Sequence, residues 1–132
     1  MVATIEPMHG NQVVVYRPRP EEKGGRWRRT VIDGTLVDGH GLACADFLGQ
    51  GRDQVLAGWR AMNAPGKPVG IRLYVSTDDA GTQWERHVID DNQMACEDLQ
   101  VADLDGDGDL DIVASGRGTK NLKIYFNETS KR

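Results

Sequence analysis

The sequence has 132 residues, which is the size of one ordinary domain and enough to bury a core. Its formal net charge is −4, so it lacks the basic excess of a general nucleic-acid binder, and we expect no nucleic-acid partner. No apolar run approaches the ~20 residues that cross a bilayer, so we expect no membrane insertion. The start, MVATIEPMHG, has no signal-peptide features, either because the chain carries none or because an earlier segment was removed.

Ten short strands are predicted along the chain, because apolar and polar side chains alternate and no stretch keeps a helical period for three turns. Residues 1–35 contain three of them, in VATI, VVVY and WRRTVI. Residues 36–92 contain four, in GLACADF, QVLAGWR, IRLYVST and QWERHVI. Residues 93–132 contain three more, in LQVAD, DIVASG and LKIYFN. The predicted fold class is therefore all-β.

The chain repeats itself at an offset of 57 residues. The segment WRRTVID from Trp27 aligns with WERHVID from Trp84, and residues 27–58 against 84–115 give 11 identities in 32 pairs. Unrelated sequences of ordinary composition would give about two. Four antiparallel strands that recur every ~40 to 60 residues are typical of a β-propeller blade, although small barrels and sandwiches also repeat.

We therefore predict that residues 1–132 form a single β-propeller segment of about two and a half blades. Residues 1–35 would be the last three strands of one blade, 36–92 a complete blade, and 93–132 the first three strands of another. A ring usually needs at least about four blades, so this segment cannot close by itself. The expected partners are the rest of a larger propeller or further copies of the same chain, as a homo-oligomer.

An acidic loop, DLDGDGDLD at residues 103–111, interrupts the last repeat. It has a carboxylate at every second position, in Asp103, Asp105, Asp107, Asp109 and Asp111. Alternate oxygens that converge on one point suit Ca²⁺, which takes six to eight oxygen ligands. In this interpretation Asp109 contributes its backbone carbonyl, and Asp111 closes the site from the next strand. Gly106 and Gly108 would supply the positive φ angles that turn the chain around the ion.

Two other interpretations apply to this loop. The loop begins like an EF-hand, but its twelfth position is Ala114 instead of a bidentate glutamate, and strands flank it instead of helices. A solvated turn without metal remains open, although five like charges in nine residues would repel one another. Mg²⁺ fits less well than Ca²⁺, because it seldom sits in an all-protein cage.

The equivalent loop of the first repeat, DFLGQGRDQ at residues 46–54, keeps the glycines and loses the acids. Only Asp46 survives, while Leu48, Gln50, Arg52 and Gln54 replace the other four aspartates. We therefore expect one cation site in the chain, with the first loop empty.

The segment VADLDGDGDLDIVASG closely resembles the FG-GAP repeat, also called the VCBS-type repeat, of integrin α-subunit propellers and many bacterial extracytoplasmic proteins. The segment ACADFLGQGRDQVLAG resembles a degenerate member. The resemblance implies a β-propeller with structural Ca²⁺ in the hairpin between the first two strands of a blade. It carries over as ligand positions Asp103, Asp105, Asp107, Asp109 and Asp111. It does not fix function, since the family includes adhesion receptors, lectins, polysaccharide lyases and sugar dehydratases.

The leading functional hypothesis is a non-catalytic, calcium-stabilised module that binds or scaffolds a protein or carbohydrate ligand. The alternative is a domain of a carbohydrate-active enzyme, a polysaccharide lyase or sugar dehydratase. In that case His40 and Glu97, which align at the 57-residue offset, would act near a channel mouth together with His9. Trp59 adjoins a long insertion and is the tryptophan expected to contact a ligand. The free calcium concentration outside the cytoplasm is about millimolar, which would suit a site of moderate affinity. We therefore expect an extracytoplasmic location, either periplasmic, secreted or on the cell surface.

Overall fold

The computed structural model describes residues 1–19, 24–62 and 68–129. These residues contain ten β-strands and no helix, which confirms the all-β prediction. None of them forms a helix of the length and hydrophobicity that would span a bilayer. In chain order the strands are β1 Val2–Glu6, β2 Gln12–Pro18, β3 Trp27–Asp33, β4 Gly39–Ala45, β5 Gln54–Trp59, β6 Gly70–Ser76, β7 Trp84–Asp91, β8 Cys96–Ala102, β9 Asp111–Gly116 and β10 Asn121–Tyr125.

The strands form three antiparallel sheets of three, four and three strands, the numbers that the sequence predicts. The N-terminal sheet has the order β1-β2-β3, the middle sheet β4-β5-β6-β7 and the C-terminal sheet β8-β9-β10. The described residues do not form a closed ring. Whether each sheet is a propeller blade therefore stays a prediction.

Strand register places a tyrosine at matching positions in all three sheets. Tyr16 pairs with Val2, Tyr74 with Val55 and Tyr125 with Ile112, so one tyrosine recurs at the same place in each sheet. We call the face that carries it the tyrosine face. We call the opposite face the aliphatic face. It carries Val13 and Val15 in the N-terminal sheet, Ile71 and Leu73 in the middle sheet, and Leu122 and Ile124 in the C-terminal sheet. Register thus gives equivalent positions on the second and third strands of the predicted unit in all three sheets.

The core consists of two layers, each trapped between consecutive sheets. In the first layer, Val13 and Val15 of the N-terminal aliphatic face pack against Tyr74, Val55 and Ala57 of the middle tyrosine face. In the second layer, the middle aliphatic face packs against the C-terminal tyrosine face; its members include Leu56, Ile71, Leu99, Ile112 and Ala114. Because most of these side chains are at most a few per cent exposed, apolar burial is the main stabilising term between sheets.

A buried aspartate links each sheet to the next. The Oδ2 atom of Asp33, at the end of β3, accepts hydrogen bonds from the hydroxyl of Tyr74 at 2.8 Å and from Arg72 at 2.9 Å. The equivalent Asp90, at the end of β7, accepts from the hydroxyl of Tyr125 and the Nζ of Lys123, both at 2.8 Å. The repeated VID segment therefore positions a carboxylate for the following sheet.

Both aspartates are held ionised in the folded chain. Burial by itself would raise the pKa of Asp33, but hydrogen bonds from Thr35 and Tyr74 and the charge of Arg72 outweigh it and lower that pKa. The pKa of Asp90 is lowered in the same way, by Lys123 and Tyr125 against the effect of burial. A carboxyl whose folded-state pKa is depressed stabilises the fold above its unfolded pKa, and this contribution is lost as the pH falls through the folded value.

We expect the melting temperature to fall as the pH is lowered below about 4, the ordinary carboxyl pKa. Each of the two carboxyls adds at most about 1.4 kcal/mol per pH unit to this slope. Differential scanning fluorimetry from pH 7 to pH 2 measures the slope, and an Asp33→Asn/Asp90→Asn double variant isolates the contribution of the pair. An equally steep slope in the double variant would show that these two groups do not carry it.

The structure corrects the interpretation of Trp59. Its side chain is 3% exposed, packs in the first core layer and donates a hydrogen bond to the carbonyl of Pro68. The guanidinium of Arg72 lies 4.2 Å from its ring centroid, a cation–π contact inside the fold. Trp59 is therefore a core residue and not a ligand contact, because the packing of the first two sheets buries its ring.

Candidate metal site

The acidic loop connects β8 to β9, the first two strands of the C-terminal sheet. Ala102 and Asp111 are paired across the start of the loop, so both ends are fixed by the sheet. Gly106 has φ +79° and Gly108 has φ +92°, the left-handed region that favours glycine. The predicted glycine geometry is confirmed. A Cβ atom at either glycine would meet no atom within 4 Å, so the backbone angle and not crowding requires glycine there.

Three of the five predicted ligands come together. Carboxylate oxygens of Asp103, Asp105 and Asp111 all lie within 4.8 Å of one another, the only such group among the described residues. Asp111 is fully buried, whereas Asp103 and Asp105 are exposed. Three converging carboxylates are hard oxygen ligands, and their combined charge suits a divalent cation such as Ca²⁺ or Mg²⁺. The donor set therefore fits the ion that the sequence predicts.

Backbone amides hold these carboxylates in place. Asp103 accepts hydrogen bonds from the amides of Gly106 at 2.8 Å and Gly108 at 3.1 Å. Asp111 accepts from the amides of Leu104 at 2.9 Å and Asn127 at 2.8 Å. Because each carboxylate oxygen has two lone-pair directions, an oxygen that accepts an amide can still face a cation. The loop is thus organised by its own side chains.

The remaining two aspartates lie in the same loop but outside this group of three. Asp107 accepts a hydrogen bond from the amide of Asp109 at 3.0 Å, and the amide of Asp107 donates to Asp105 at 3.3 Å. Their role as further ligands stays a prediction.

The first loop has the same backbone turn without the carboxylate group. Gly49 and Gly51 have φ angles of +60° and +73°, and Asp46 accepts the amide of Gly51 at 2.7 Å, as Asp103 accepts that of Gly108. Arg52 bonds the side chain of Gln50 and lies 3.9 Å from Asp79. Since this loop has one acid, Asp46, at the five positions where the second loop has aspartates, the glycines reflect the turn and the acids reflect a second requirement.

A histidine cluster lies where β4 and β8 begin. The rings of His9 and His40 stack with their centroids 4.8 Å apart, and the Nδ1 atom of His40 donates to the carbonyl of Glu97. The Nε2 atom of His40 lies 3.9 Å from the Oε1 atom of Glu97. The structure therefore brings together all three residues that the enzyme hypothesis requires.

The Glu97 carboxylate is engaged by an arginine that sequence reasoning missed. Arg60 bonds Glu97 and also lies 3.0 Å from Asp38. The hydrogen bond from Arg60 lowers the pKa of Glu97, so this carboxyl is ionised at neutral pH. An ionised, paired Glu97 can orient His40 but cannot act as a general acid. Arg60 follows a buried strand, and its sequence position alone gives no sign of this contact.

A cleft of about 850 Å³ opens beside this cluster. It is lined by basic and acidic side chains, including Arg60, Glu97, Arg117 and Lys120. Its chemistry suits a polar ligand, because both hydroxyl and carboxylate groups would find partners there.

Comparison with protein-family models gives no match for this chain, and no curated protein matches its sequence. The functional argument therefore depends on the chemistry of the two sites.

Proposed function

We propose that the chain is a calcium-stabilised repeat module, with its three sheets serving as FG-GAP-type propeller blades that bind or scaffold a protein or carbohydrate ligand without catalysis. One observation carries the proposal. Two loops share the same glycine-directed turn, and only the second adds the group formed by Asp103, Asp105 and Asp111. The turn forms in the first loop with Asp46 alone at these positions, so the turn does not explain why the second loop has five mutually repelling aspartates. A bound divalent cation would explain them.

Isothermal titration calorimetry tests this directly. We expect one Ca²⁺ per chain, with Mg²⁺ binding more weakly because it dehydrates reluctantly. Asp105→Ala should abolish detectable Ca²⁺ binding, since it removes one of the three converging charged ligands. Asp46→Ala in the first loop is the matched control and should leave binding unchanged. Absence of heat and of competition with a calcium dye would contradict the proposal, as would two sites per chain.

Calcium affinity also bears on location. A site open to solvent on two of its three carboxylates suits the millimolar calcium found outside the cytoplasm. We therefore propose an extracytoplasmic location, with the mixed-charge cleft as the ligand surface.

A second candidate function, a carbohydrate-active enzyme domain, is favoured by the contact between His40 and Glu97 beside this cleft. If it is correct, His40→Ala should abolish turnover of a polysaccharide substrate by at least about a hundredfold, the scale of a lost acid–base group. The fold, followed by circular dichroism, should be kept, because His40 is only partly buried. Loss of stability without loss of any activity would assign His40 a structural role.

A further inference from the structure

One face of the C-terminal sheet is exposed although its sequence repeats a buried one. Val13 and Ile71 are 0% exposed on the aliphatic faces of the first two sheets, whereas the equivalent Leu122 is 65% exposed. Ile124 is 46% exposed, and its equivalent Val15 is 1% exposed. Each of these positions carries an aliphatic side chain. The difference in exposure therefore arises because no sheet follows the C-terminal one within the described residues.

The tyrosine face of the N-terminal sheet is exposed along β1 and β3, although Val14 at its centre is buried. Val2 is 48% exposed, while its equivalent Val55 is 0% exposed. Trp27 is 47% exposed, while its equivalent Trp84 packs on the first core layer. One end of the stack therefore presents a tyrosine face and the other an aliphatic face, and these two kinds of face pack together at both sheet interfaces of this fold.

The acceptor of Tyr16 indicates which sheet should cover the N-terminal one. In the other two sheets the equivalent tyrosine donates to an aspartate on the last strand of the preceding sheet, at Asp33 or Asp90. Tyr16 donates instead to Glu6 of its own sheet at 2.6 Å, and Arg29 bonds the same carboxylate at 2.7 Å. The Tyr16 hydroxyl is therefore satisfied within its own sheet, so this face needs no aspartate from the sheet that covers it. Among the described sheets, the C-terminal one has the uncovered aliphatic face.

We propose that two copies of this chain associate head to tail. The aliphatic face of each C-terminal sheet would pack on the tyrosine face of the partner's N-terminal sheet. A heterologous contact of this kind closes into a ring when the rotation permits it. Two copies bring six sheets, within the roughly four to eight blades of known propellers, whereas three copies would bring nine. The inference rests on the blade geometry of the proposed function but not on bound calcium.

Sedimentation velocity over a wide concentration range, with calcium and with chelator, tests the proposal. We expect a species of 29.2 kDa, twice the 14.6 kDa of one chain, in both conditions. The double variant Leu122→Glu/Ile124→Glu changes the aliphatic face of the C-terminal sheet, and Trp27→Glu changes the tyrosine face of the N-terminal sheet. Each should weaken dimerisation at least about a hundredfold, because each buries an unpaired charge. Val88→Glu is the matched control, since Val88 is 59% exposed on the middle sheet, and this variant should still dimerise.

The pattern across variants distinguishes this geometry from its competitors. If a face paired with its own copy, changes on the other face would leave the dimer intact, and that result would overturn the head-to-tail arrangement. A wild-type chain that stays at 14.6 kDa at all concentrations would overturn the association itself. Because the changed side chains are exposed, circular dichroism should confirm that each variant folds. Calcium binding measured in parallel separates failure of this inference from failure of the calcium proposal.

Discussion

Asp33→Ala is expected to lower the free energy of unfolding by about 3–5 kcal/mol, the cost of breaking a buried charge pair from one side. The Asp33 side chain is 3% exposed and that of Arg72 is 14% exposed, so water cannot replace the lost carboxylate well. The hydroxyl of the fully buried Tyr74 would lose its acceptor at the same time. Urea denaturation followed by circular dichroism measures the loss.

Two matched variants make this prediction sharper. Asp91→Ala removes an exposed carboxylate at the end of β7 and should change stability by no more than about 0.5 kcal/mol. Asp90→Ala should cost less than Asp33→Ala, because its partner Lys123 is 27% exposed and can be rehydrated. A loss below about 1 kcal/mol for Asp33→Ala would show that the inter-sheet aspartates do not hold the sheets together.

Asp111→Ala should destabilise the chain by about 2 kcal/mol or more in the presence of chelator. Its carboxylate is fully buried and accepts the amides of Leu104 and Asn127, and a hydrogen bond to a charged group contributes about 1.5–3 kcal/mol. The variant should also lose any response to calcium. Asp111 therefore has a structural role in addition to the proposed role as ligand.

Asp105→Ala is the matched control for Asp111→Ala. Asp105 is exposed and has like charges around it, so in chelator its removal should change stability by no more than about 0.5 kcal/mol. The calcium response should nevertheless disappear. If both variants lost the same stability in chelator, the amide contacts of Asp111 would not matter and the proposed division of roles would be wrong.

Local pattern was sufficient to predict the strands and turns. The alternation in LKIYFN and IRLYVS depends only on neighbouring residues, and β10 and β6 overlap those segments, each beginning one residue earlier. The same holds for the turn at Gly106 and Gly108. The loop requires a positive φ angle at these two positions, and glycine adopts such an angle readily. Period and turn chemistry act over a few residues, so a single sequence reveals them.

Contacts between sheets could not be predicted in this way. The repeated VID segment was visible, but the partners of Asp33 lie about 40 residues further along the chain, on β6. Trp59 appeared to adjoin an exposed insertion, whereas the packing of two sheets buries it. Likewise the spacing of the five aspartates does not predict which of them converge. The path of the loop decides that the three are Asp103, Asp105 and Asp111.

The central claim is that calcium stabilises the folded chain through the β8–β9 loop, and thermal unfolding across a calcium titration tests it most directly. A site present only in the folded state adds about 2.7 kcal/mol at a hundredfold excess over its dissociation constant. We predict a melting temperature that rises steadily with Ca²⁺, rises less with Mg²⁺ at equal concentration, and does not change in Asp105→Ala. A melting temperature that is the same in calcium and in chelator would contradict the account, because the loop would then be stable without a cation.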